Sequence, residues 1–84
     1  MKRHVMGIMV DNRRETAEKA QKTLAGWGCL IKTRLGIHDG VLDNCSDSGL
    51  ILLELVGDED KHAELKRKLS LLKGVSVEMI SLWL

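Results

Sequence analysis

Two β-α-β patterns follow one another in this chain, with the first strand of one 45 residues ahead of the first strand of the other, Val5 against Leu50. Few small folds accommodate that repeat. Val5 to Val10 is apolar apart from Gly7 and has strand length. From Arg14 to Ala25, Ala17, Ala20, Leu24 and then Trp27 recur at intervals of three, four and three, while Glu15, Glu18, Lys19 and Lys22 fill the other side. This spacing predicts a short amphipathic helix, with Gly26 and Gly28 bracketing its exit. Cys29 to Ile37 then alternates, placing Cys29, Ile31, Thr33, Leu35 and Ile37 on one face and Lys32 and Arg34 on the other, the pattern of a half-buried edge strand.

The second half repeats the first after residues 38–49, a stretch rich in Asp, Asn, Ser and Gly that reads as the long loop. Leu50 to Val56 is apolar at every position except Glu54, as expected of a central strand covered on both faces. Asp58 or Asp60 is placed to cap a helix whose Ala63, Leu65, Leu69 and Leu72 form a stripe, with Gly74 as its stop. Val75 to Leu82 supplies the fourth strand. Right-handed crossovers and one shared sheet surface for both helix stripes leave the α+β ferredoxin-like βαββαβ sandwich, a four-stranded antiparallel sheet with both helices on one face. Residues 1–84 then form a single domain, with the first and third strands central.

That arrangement has a consequence for function. The first strand is apolar on both parities, Val5 and Met9 against Met6, Ile8 and Val10. The third is as well, Leu50, Leu52 and Val56 against Ile51, Leu53 and Leu55, with His4 and Glu54 the polar positions in these two strands. A monomer would leave one stripe wet, a patch of roughly a few hundred Å² of the kind soluble monomers seldom expose. A chain of 84 residues also buries only about 60% of its unfolded surface. Both considerations predict self-association as a homodimer or tetramer.

Charge and motifs exclude more than they assign. Thirteen basic against twelve acidic residues give a net charge of +1 with the signs mixed along the chain, which argues against a nucleic-acid stripe and direct DNA binding. No apolar run approaches a membrane span, and the run after Met1-Lys2-Arg3 ends at Asp11, so neither a membrane segment nor a secretory leader is expected. Two Cys without a paired motif favour a cytoplasmic, reducing setting. No metalloprotease, nucleophile-elbow, phosphate-loop or CxxC pattern is present, so the chain is read as non-enzymatic, with no required cofactor.

Two groups of residues are candidates for binding. Asp11, Asn12, Arg13 and Arg14 join the first strand to the first helix, where free backbone N–H groups and guanidinium groups would attract a carboxylate or phosphate effector; the competing role is ordinary helix capping. His38 and Cys45 in the long loop supply an imidazole and a thiolate, only two of the three or four ligands a tight transition-metal site needs. A second subunit would have to complete them. His4, His62 and Cys29 rank lower, Cys29 as a small apolar residue at a strand start. Trp27 is expected in the core or an interface, and Trp83 across an interface.

The segments Arg34-Leu35-Gly36-Ile37-His38, Gly49-Leu50-Ile51-Leu52-Leu53-Glu54-Leu55-Val56-Gly57-Asp58 and Leu72-Lys73-Gly74-Val75-Ser76-Val77 resemble those of small regulators associated with iron-only hydrogenase systems. The resemblance implies an ACT-like, oligomeric regulatory domain similar to the C-terminal metal-sensing domain of nickel-responsive regulators, without their DNA-binding part. Together with the residues above, the chain is read as a regulatory domain sensing a small ligand at a subunit interface, with metal sensing through His38 and Cys45, completed by a second subunit, as the alternative. The sequence departs from the nickel pattern, since Gly36 stands where a His-x-His pair with His38 would need His, and Cys45 falls in mid-loop.

Overall fold

The computed structural model describes residues 1–11, 14–38 and 49–84. Strand β1 (Lys2–Val10) leads to helix α1 (Arg14–Ala25), then through a 3-10 turn at Gly28–Leu30 to β2 (Ile31–His38); β3 (Gly49–Leu55), α2 (Glu59–Ser70) and β4 (Val75–Trp83) follow. The sheet order is β2-β3-β1-β4, with antiparallel pairing at each contact. This is the expected ferredoxin-like sandwich, with β1 and β3 in the centre.

Both central strands place one parity against the helices. Met6, Ile8 and Val10 of β1 and Ile51, Leu53 and Leu55 of β3 are buried with Val77 of β4, Ala20 and Leu24 of α1, and Leu65 and Leu69 of α2. This core contains no Phe or Tyr. Its volume comes from branched aliphatic and Met side chains, with Trp27 packing at its margin.

The ends of α2 are set by local chemistry. Asp58 is the N-cap, its carboxylate accepting from the Asp60 N–H at 3.0 Å; Glu59 and Asp60 in the first turn and Arg67 and Lys68 in the last oppose the helix dipole. The helix stops at Ser70, before Gly74, which instead takes φ +84° in the turn into β4. The inward stripe also differs from expectation. His62, Leu65 and Leu69 are buried while Ala63 is exposed, because His62 lies three residues before Leu65 and seven before Leu69 and so shares their face.

β2 departs most from its sequence pattern. Residues 28–30 form the 3-10 turn, so Cys29 lies ahead of the strand, exposed and unbonded, rather than packed as a small hydrophobe. An irregularity between Ile31 and Thr33 sets Ile31 opposite Leu55 but Thr33 opposite Glu54. That extra residue moves the rest of the strand by one parity. Ile31 stays against the core, whereas Leu35 and Ile37 pair with Leu52 and Leu50 on the side away from the helices.

Candidate functional site: the open face of the sheet

Opposed residues in antiparallel strands share a face, so the register defines the surface that no helix covers. One row runs Leu35, Leu52, Gly7, Glu78; the next Ile37, Leu50, Met9, Ser76; and on the other side Thr33, Glu54, Val5, Ile80, with Arg3 opposite Leu82 beyond. Leu35, Met9, Ile37, Ile80 and Leu82 are exposed, Leu35 at 54% and Ile80 and Leu82 at 56%. The second apolar parity of β1 and β3 therefore lies on a continuous surface, which β2 and β4 extend.

Exposed Thr33, Ser76 and Glu78 keep the edge strands of this surface wet, while the two polar positions expected in the central strands leave little free charge in its middle. His4 is on the helix side and buried. Glu54 is on the open face but is gripped by Arg3 in a fork, Nε to Oε2 at 2.7 Å and Nη2 to Oε1 at 2.6 Å. The hydrogen bonds from Arg3 hold the Glu54 carboxyl below the ordinary carboxylate range, and the same bonds raise the guanidinium. A charge pair satisfied within the chain is easier to cover with a partner than an isolated carboxylate.

At the end of the sheet beside the start of α2, a polar cluster escaped the sequence pattern. The His4 and His62 rings meet edge to face, centroids 5.0 Å apart. His4 Nδ1 hydrogen-bonds with Ser81 Oγ at 2.9 Å and its Nε2 lies 3.7 Å from Glu59 Oε1, which Lys2 Nζ contacts at 2.6 Å. That hydrogen bond from Lys2 holds the Glu59 carboxyl below its ordinary range. His62 is fully buried, and its Nε2 carries a proton donated to the Val56 carbonyl at 2.7 Å, leaving Nδ1 without a hydrogen-bond partner among the described residues. His62→Ala is expected to cost about 2–4 kcal/mol, because it opens a cavity and strands a carbonyl. His62→Leu, which restores the packing, should cost about 1 kcal/mol. Urea denaturation of both variants checks this order, and equal costs would show that the ring's volume contributes nothing.

Asp11, the first of the proposed effector contacts, falls at the opposite end. Asp11 follows β1, its N–H donating to the Gly74 carbonyl at 2.7 Å. A Cβ at Gly74 would come within 2.8 Å of Asp11 Cβ, so glycine is required there by crowding as well as by its φ. Two shallow grooves meet at Asp11, one lined by Met9, Val10, Val75 and Ser76, the other by Glu15, Thr16, Lys19 and Lys73. Arg14 opens α1 and is exposed, whereas Asn12 and Arg13 lie outside the described residues.

His38 ends β2 opposite Gly49; its side chain and Cys45 also lie outside the described residues. Among the described residues no three His, Cys, Asp or Glu side chains come together as a metal site. Trp27 packs on the core with Lys68 Nζ 5.4 Å from its ring centre, and exposed Trp83 has Lys2 Nζ at 4.4 Å. No helix among the described residues is long and apolar enough to cross a membrane.

No family model and no curated protein matches the chain. Solved structures do. The uncharacterized protein TM1266 from Thermotoga maritima superposes with a TM-score of 0.84 at 25% identity, over 99% of this chain and 100% of that one. A dimeric ferredoxin-like protein from an uncultured marine organism gives 0.57 at 10% identity over 99% and 94%. CPII, a nitrogen regulatory PII-like protein from Thiomonas intermedia K12 bound to ADP, AMP and bicarbonate, gives 0.52 at 15% identity over 100% and 96%. The last two likenesses show the fold alone.

Proposed function

We propose that this protein is a non-enzymatic, cytoplasmic regulatory domain of an iron-only hydrogenase system, which assembles as a homodimer or tetramer and binds a small effector at a subunit interface. The observation that carries the assembly is the open sheet face. Four strands about 4.8 Å apart and some eight residues long give a face of roughly 19 by 25 Å, about 500 Å² in projection. Its accessible area is larger, and stable interfaces cover about 600–1,000 Å² on each partner. Covering this face therefore brings two copies to the lower bound of lasting association, and it hides the apolar rows that an isolated chain leaves in water.

The dimeric state of the marine ferredoxin-like protein and the regulatory description of the PII-like protein support the same reading. The hydrogenase assignment rests on the sequence resemblance. Asp11 to Arg14 are the proposed effector contacts, and Asp11 lies at the end of the sheet where the grooves meet. Light scattering at micromolar concentration is expected to give at least twice the 9.4 kDa of one chain, and a monomeric mass would overturn the proposal. A thermal-shift screen of small carboxylates and nucleotides, repeated with Arg14→Ala, tests the effector contacts; stabilisation that survives the substitution would remove Arg14 from them.

A further inference from the structure

The centre of the open face holds a glycine, Gly7, whose missing side chain the single chain does not require. Gly7 is the third of six residues in the apolar run Val5 to Val10 of the central strand β1, between Leu52 on one side and Glu78 on the other. Glycine weakens the interior of a strand, and it persists where the backbone requires positive φ, where a side chain would clash, or where another molecule approaches. The first reason fails, since Gly57 and Gly74 are the glycines with positive φ among the described residues. The second fails as well. A Cβ at Gly7 would meet its nearest neighbour, Leu52 Cδ2, at 3.8 Å, an ordinary contact.

We propose that Gly7 is the point of closest approach between two copies of this chain, where an aliphatic side chain of the second copy seats on the bare β1 backbone. This rests on the reading of the open face as the assembly surface. A second copy is the occupant because the face carries both halves of such a contact: the bare backbone at Gly7, and exposed aliphatic knobs around it at Leu35, Met9 and Ile80. A two-fold axis needs one surface that supplies knob and hole together. The Arg3–Glu54 fork lets the surrounding surface be covered without stranding that carboxylate, and Glu78, at 87% side-chain exposure, belongs at the wet rim on β4.

Gly7→Val tests the proposal, with Gly7→Ala as the milder variant. Both should fold, with thermal midpoints at high dilution equal to or above that of the unsubstituted protein. Sedimentation equilibrium should show the dimer dissociation constant raised at least tenfold by Gly7→Val and by less in Gly7→Ala. Thr33→Val, at the margin of the same face, should leave it within about twofold, as surface substitutions away from special features do. If the unsubstituted protein dimerises and Gly7→Val dimerises as tightly, Gly7 is not at the contact and the copies meet at the β2 or β4 edge instead. If both Gly7 variants fail to fold, position 7 is constrained within the single chain and the proposal also falls. A monomeric unsubstituted protein would overturn the underlying assembly reading, a result distinguishable from either.

Discussion

Leu52→Asp is expected to turn the assembly into a folded monomer, weakening association at least a hundredfold, about 3 kcal/mol. Leu52 is half-buried on the open face, between Leu35 on β2 and Gly7 on β1. In a single chain the new carboxylate reaches water and costs little beyond the lost aliphatic contacts. In a covered face it must be desolvated with no cation in its own row, Leu35, Leu52, Gly7 and Glu78, and Arg3 nearby is already committed to Glu54. Light scattering across a concentration series separates the cases: a dimer that survives with unchanged affinity would move the interface off this face. Circular dichroism checks that the monomer remains folded.

Leu65→Ala acts on the other side of the sheet and should cost about 2–5 kcal/mol. Leu65 is fully buried, one of the two α2 leucines that hold this helix on the core with Leu69. At about 0.05–0.15 kcal/mol per residue, a chain of 84 residues has a total stability of about 4–13 kcal/mol, so one truncation removes a large share. The loss should depend on concentration, because association stabilises the folded state by mass action. Urea midpoints for Leu65→Ala are therefore expected to rise with protein concentration, whereas those of the Leu52→Asp and Leu65→Ala double variant should not. Concentration-independent unfolding of the single variant would separate folding from assembly.

Much of this architecture is legible in residue types and spacing. α1 begins and ends where the Ala17, Ala20, Leu24 stripe says, Asp58 caps α2, and the two-sided apolar strands are the central ones. Each of these is a local signal, carried within a few residues by helical period, capping chemistry or hydrophobic parity. The misses have a different origin. His62 looks polar, yet its ring is accommodated because His4 meets it edge to face and the Val56 carbonyl accepts its hydrogen bond, partners that lie far along the chain or across a turn. The face of Leu35 and Ile37 could not be derived from alternation, because the bulge between Ile31 and Thr33 leaves no mark in the pattern.

The sites divide along the same line. Asp11 was visible as a strand-to-helix junction residue, but its bond to Gly74 joins segments more than sixty residues apart. Glu54 stood out in the sequence as the polar position of an otherwise apolar strand; only the register of β1 against β3 puts Arg3 where it can neutralise it. Sequence alone determined the order of strands and helices and the excess of apolar surface, because both depend on periodicities read over a handful of neighbours. The tertiary structure decided which stripe points inward, which charges are paired, and that Gly7 falls on the uncovered face beside Leu52, because those depend on register between segments distant in the chain.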